Sequence, residues 1–220
     1  MCGYFVSQTL YNSNAALNTA EAKGLAERRV QADKANWKLI FQVDSNDKEK
    51  IPQLYSDAEK IQKTIIDLLT DNGFNEKEIE IGVIDYDLRE FRDENQQLVD
   101  QKHSLVGSIL VETQQVLLVS KVRANVNKLI AQGINIDNHA PSYSFTKLNE
   151  IKPDMLREAT QNAKIAANEF AQIANVSVGG IRSARQGNFF IRDAGESYGD
   201  TQKIEKDVRV VTTITFYLTD

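Results

Sequence analysis

The sequence predicts an α+β fold in which long antiparallel strands carry helices on one face. Three observations point there. Residues 35–44 alternate strictly, with Ala35, Trp37, Leu39, Phe41 and Val43 on one side and Asn36, Lys38, Gln42 and Asp44 among the other. Residues 208–218 alternate as well, through Val208, Val210, Thr212, Ile214, Phe216 and Leu218. Successive side chains of a strand point to opposite faces, so both stretches read as strands with one buried face. Between them lie three apolar stripes at helical spacing.

In chain order, residues 1–20 read as a tether. Met1-Cys2-Gly3-Tyr4-Phe5-Val6 is too short to span a bilayer, and residues 7–20 show no period. Three readings of this start stand side by side: the tail of a removed signal or anchor segment, a lipidated Cys2, or a frayed cytoplasmic terminus. The domain proper is expected over 21–220, with two intertwined α+β subdomains as one arrangement. Residues 21–31 form a first strand, whose Ala22, Gly24 and Ala26 allow close backbone approach. The short link Ala32-Asp33-Lys34 predicts that it pairs antiparallel with the next strand or continues it as one bent ribbon.

A helix follows over 51–72, with Pro52 in its first turn and Ile51, Leu54, Tyr55, Ala58, Ile61, Ile65, Leu68 and Leu69 as its stripe. Asn72-Gly73 ends it. Glu78–Arg89 reads as one strand, 93–100 as a polar loop and Lys102–Thr113 as another strand, with His103, Leu105, Ile109 and Val111 on a shared face. A second helix runs from 115 to 132, its stripe Val119, Val122, Val126, Leu129 and Ile130, and Gly133 stops it. Residues 134–148 read as a turn and a strand. Pro153 is taken as the start of a third helix, with Leu156, Ala159, Ala163, Ala166, Ala167, Phe170 and Ala174 inward. Residues 176–185 form a strand with a bulge or sharp twist at Gly179-Gly180, taken on to 192 when the two units are compared, and a loop at 193–201 precedes the last strand. Helix, strand, polar loop and strand thus occur twice, over 51–113 and 153–219, as two helix–β-hairpin units.

Chemistry is sparse. The chain carries 26 Lys and Arg against 31 Asp and Glu, a net charge of -5, and its charges are interspersed, which argues against a nucleic-acid surface. One cysteine excludes an internal disulfide and a cysteine-based metal site. There is no P-loop, GxSxG elbow, HExxH or dinucleotide fingerprint. His103 and Ser104 are adjacent on a strand, so they face opposite ways and cannot pair directly. Asp137 and His139 offer two metal ligands where a site wants three or four. No catalytic residue, cofactor or metal is expected. A hydrolase would require a pocket that gathers at least two polar side chains and a titratable group. Tyr86, Phe91, Phe189, Phe190 and Tyr198 are candidate liners of a ligand or interface cleft between the two units, against their alternative role in hairpin packing. Long strands with a wet face leave edges that need pairing, covering or charge, and this points to homo-oligomerisation.

Gly24 and Ala26, Ala32-Asp33-Lys34-Ala35, Ile79-Glu80-Ile81, and Ala159-x3-Ala163-x2-Ala166 followed by Gly179-Gly180 occur in an order that resembles the SIMPL-domain family of bacterial exported proteins. The resemblance runs over about residues 22–219. It implies a SIMPL-like α+β fold with three main helices, and export to the periplasm or envelope through an N-terminal signal or inner-membrane anchor. It also implies self-assembly into rings or channels in some members and an association with envelope and oxidative stress and with immunogenicity. Beside self-assembly, the partly exposed strands and the lack of a convergent polar site make an envelope protein partner an expectation. It carries over no catalytic residue. The hydrophobic signal expected from the family is not seen here.

Overall fold

The structure, a computed structural model, describes residues 18–219. The readings placed on Cys2 and on residues 1–17 lie outside the described residues. The first strand, β1 (Thr19–Gln31), begins inside the stretch expected to be tether.

The link at 32–33 then leads into β2 (Lys34–Ser45). These two strands do not pair with each other: β1 joins one sheet and β2 another. The antiparallel-pair alternative is therefore corrected. After a 3-10 turn at Lys48–Lys50 comes α1 (Ile51–Asp71), with Pro52 in its first turn. Its Asn72 caps and Gly73, at φ 104°, provides the left-handed stop. Next are a 3-10 turn at Glu76–Glu78, β3 (Ile79–Ile81), β4 (Asp85–Arg92) and β5 (Leu98–Thr113). Then α2 (Val116–Ala131), β6 (Ile136–Asn138), β7 (Ser142–Ser144) and α3 (Leu148–Ile173) follow. The chain closes with β8 (Ser177–Gln186), β9 (Phe190–Asp193) and β10 (Glu205–Thr219).

The described residues fall into two units. Residues 18–31, 147–200 and 205–219 form one, and residues 32–146 and 201–204, inserted into it, form the other. The first unit has an antiparallel sheet in the order β1-β10-β8, with β9 also on β10. The second has β3 and β4 on β5, β5 on β2, and β6 and β7 on the far side of β2. Each unit therefore has a long central strand, β10 or β5, flanked by one long and two short strands.

The second unit's core is large-residue packing. Trp37, Leu39 and Phe41 of β2 and Ile109 and Val111 of β5 meet Leu54, Ala58, Ile65 and Leu69 of α1 and Val119, Val122 and Val126 of α2. The Phe41 ring lies over Gly107, its register partner, where a Cβ would collide with it. The first unit packs by close approach instead. Met155, Ala159, Ala163, Ala167 and Ala171 of α3, spaced by four, are its buried face. Gly24 of β1 sits against the Ala159–Ala163 turn so tightly that a Cβ would overlap the Ala159 carbonyl.

Several sequence expectations are corrected. The strand expected over 78–89 is two strands, broken at Gly82, whose N–H donates to the Ser108 carbonyl of β5 at 2.8 Å. The strand expected over 176–185 is β8, and only its extension to 192 is corrected: the strand breaks at Gly187, whose N–H donates to the Val211 carbonyl of β10 at 2.9 Å, and resumes as β9. The strand expected in 134–148 is two short ones. α3 begins five residues before Pro153, which lies inside it. Tyr55, Ile130, Phe170 and Ala174, expected inward, are exposed, and Met155 and Ala171 take the inner positions on α3. The bulge at Gly179-Gly180 is present: Phe216 opposes Ile181 and Leu218 opposes Val178, leaving one extra residue on β8. A second register shift falls at Arg182.

Candidate functional site

Three polar constellations stand out, and the strands that carry them follow from parity. On β10, Lys206 has the same parity as Val208 and Val210, so it points into the first unit's core rather than to water. Its side chain is fully buried. Its Nζ donates to Asp193 Oδ1 at 2.5 Å and to the Asp200 carbonyl at 2.6 Å. A buried lysine is tolerated only when paired and hydrogen-bonded, and here the pair ties both ends of the 193–200 loop to β10. The alternation of 206–216 carried the signal for this pair, since Lys206 occupies an apolar position.

On the wet face of the second unit's sheet, Asp44 of β2 lies opposite Ser104 of β5. Ser104 donates to Asp44 at 2.7 Å, and Lys102 Nζ lies 2.9 Å from the same carboxylate. Burial pushes the Asp44 carboxyl up, but hydrogen bonds from Gln42, Ser104 and Lys102 and the lysine's charge outweigh it and hold it below the usual carboxylate value. His103, on the opposite face, is buried with Nδ1 2.7 Å from the Tyr86 hydroxyl. Ser104 and His103 thus have separate partners, and neither activates the other.

The third constellation is an open hollow of about 370 Å³ on the outer face of the first unit's sheet, lined by Glu27, Phe190, Arg192, Glu196, Asp207, Arg209 and Val211. Its charges are largely matched across strands: Arg29 grips Asp207 at 2.9 and 3.1 Å, and Arg209 lies 3.4 Å from Glu27. The Asp207 carboxylate beside it raises the Arg29 guanidinium above its ordinary value. Arg192 lies over the Phe190 ring at 5.7 Å. The hollow contains the polar and titratable groups that a hydrolase would need. It arranges them as exposed ion pairs on a sheet face.

Of the five candidate aromatics, only Phe190 lines this hollow. Phe189 lies beneath Lys152, 5.8 Å from the ring centre, and Tyr198 is almost wholly exposed on the 193–200 loop. These three belong to the first unit. Tyr86 and Phe91 belong to the second, both on β4 but with opposite parity, so one sheet face does not hold both. His139 Nε2 lies 3.3 Å from Asp137 Oδ2. Among the described residues no group of three or more His, Cys, Asp or Glu is placed to hold a metal ion, and no helix is long and apolar enough to cross a membrane.

The family model of SIMPL, described as protein of unknown function (DUF541), matches residues 21–216. No curated protein matches. Among solved structures, the chain is similar to a protein from Burkholderia cenocepacia described as an amidohydrolase/peptidase, at 9% identity and a TM-score of 0.25. That similarity covers 66% of this chain and 36% of the other.

Proposed function

The chain belongs to the SIMPL family, and on that premise we propose that it is a non-enzymatic envelope protein that acts by associating with copies of itself or with a protein partner. The observation that carries this reading is strand exposure. All eight residues of β4 are exposed, Tyr86, Leu88 and Phe91 among them, and Leu98 and Val99 on the facing end of β5 are exposed too. Open strand surface that carries exposed apolar side chains among its charges is a template for association. Envelope location and a part in tolerance of envelope or oxidative stress follow from the family resemblance. Light scattering on the purified protein across a concentration series tests the association, and fractionation of cells carrying the complete gene tests the location. A strictly monomeric particle, or recovery in the cytosolic fraction alone, would contradict the respective half.

A second reading, a small-molecule or peptide binder, draws on the hollow at Phe190 and Arg192. A ligand that binds the folded state must raise its melting temperature. A thermal-shift screen without a stabilising compound counts against it.

A further inference from the structure

We infer that β1 is a self-association edge, and that two copies join there as an antiparallel, two-fold-related strand pair centred on Leu25. This rests on the association reading above and names its partner and geometry.

β1 ends its sheet. It pairs with β10 along its whole length, Thr19 opposite Tyr217 through Gln31 opposite Glu205, with no shift in register. No other strand lies on its second edge among the described residues. Edge strands are commonly blunted by proline or by bulges. β8, at the other side of the sheet, has two register shifts, whereas β1 has neither a shift nor a proline. It is a 13-residue strand in unbroken register.

Its outward face reads Glu21, Lys23, Leu25, Glu27, Arg29. Antiparallel pairing centred on Leu25 sets Glu21 opposite Arg29 and Lys23 opposite Glu27, each twice by symmetry, with the two Leu25 side chains covering one another at the axis. Opposite charges directly across an antiparallel pair stabilise it, and like charges destabilise it. Neighbouring registers fail this test. Centring on Gly24 puts Glu21 opposite Glu27, and centring on Ala26 puts Lys23 opposite Arg29. Parallel, in-register pairing matches every charge with its like. Register is therefore specified as well as orientation.

The charges already continue inward from this edge. Arg29 is bound to Asp207 and Glu27 to Arg209, so the second copy would extend two existing cross-strand rows. The opposite face carries Ala22, Gly24 and Ala26 packed under α3, with Arg28 3.7 Å from Glu158 of that helix, so the free edge is left to the main chain and the outward row. Asn162 of α3 donates to the Leu25 carbonyl at 2.7 Å, and that oxygen keeps a second lone pair for a strand N–H.

The test uses the full chain with Cys2→Ser, so that any introduced thiol is the sole one. Leu25→Cys should form a disulfide-linked dimer under mild oxidation, because identical residues meet at the axis. Lys23→Cys should not, since its opposite residue is Glu27. Separately, Lys23→Glu and Glu27→Lys should each weaken self-association on the order of tenfold, by turning two attractive contacts into repulsive ones. Mixing these two variants should restore association, because the heterodimer regains both opposite-charge pairs. Circular dichroism of each variant confirms that it is folded. Cross-linking of Lys23→Cys as readily as Leu25→Cys, or charge variants that associate like the parent and gain nothing on mixing, would overturn the β1 edge while leaving association by another surface standing. A parent protein that stays monomeric throughout would overturn both.

Discussion

Gly24 on β1 and Ala159 on α3 are in backbone-to-side-chain-free contact: the place a Gly24 methyl would occupy is taken by the Ala159 carbonyl oxygen. The obstruction is main chain, so it cannot rotate aside. Gly24→Ala should therefore cost the upper end of the ~1–3 kcal/mol typical of overpacking, read as a lower denaturant midpoint. A change below about 0.5 kcal/mol would mean that helix and strand are not this close.

Lys206 and Asp193 are a buried pair, so removing one charge strands the other. Lys206→Met should destabilise the protein by about 3–5 kcal/mol and expose the 193–200 loop to proteolysis. Equal stability and equal protease resistance would contradict the pairing.

Trp37 donates its indole N–H to Asn138 Oδ1 at 2.9 Å, while the Asn138 amide donates to the Arg123 carbonyl and to Asn127. Asn138 thus fastens β6 to both β2 and α2. Asn138→Ala should cost about 1–3 kcal/mol, because a buried donor loses its partner. Trp37 fluorescence followed through urea unfolding measures it, and an unchanged midpoint would contradict the role.

Asp44 gives a pH signature. Its folded carboxyl sits below the unfolded value of about 3.9, so the folded protein binds this proton more weakly. The stabilisation is fully present above about pH 5 and is lost as pH falls through the lowered folded value. Between about pH 5 and pH 3, Asp44→Asn should show a shallower loss of stability than the parent. Parallel stability profiles would exclude this carboxylate as a contributor.

The sequence already carried the alternation of 35–43 and 208–216, because one buried face and one wet face leave a period of two. It also carried the helix ends at Gly73 and Gly133, where the backbone turns left-handed. The strand breaks at Gly82 and Gly187 were not legible. A glycine within a strand pattern reads the same whether it bulges, bends or leaves the ladder, and only the structure shows both donating to the central strand. The inner face of α3 differs from its sequence pattern for a related reason. Alanine is tolerated on any face of a helix, so five of them fix the stripe only once β1 and β10 are in place. Among the polar sites, Lys206 was visible in principle through its parity. The hollow around Phe190 was not, since it joins residues from β1, β9 and β10 that are far apart in sequence.

The repeated helix-and-hairpin order has a physical counterpart in those glycines. In each unit the outer strand leaves the ladder at a glycine whose N–H still bonds to the long central strand, β5 or β10. Both positions also lack room for a side chain against that strand.

Sedimentation velocity of the full chain over a hundredfold concentration range reads self-association without any substitution. The weight-average mass should rise with concentration above that of one 24.8 kDa chain, and high salt should weaken the rise because opposite charges meet at the edge. A single species at the monomer mass across the whole range, at low and high salt alike, would contradict it.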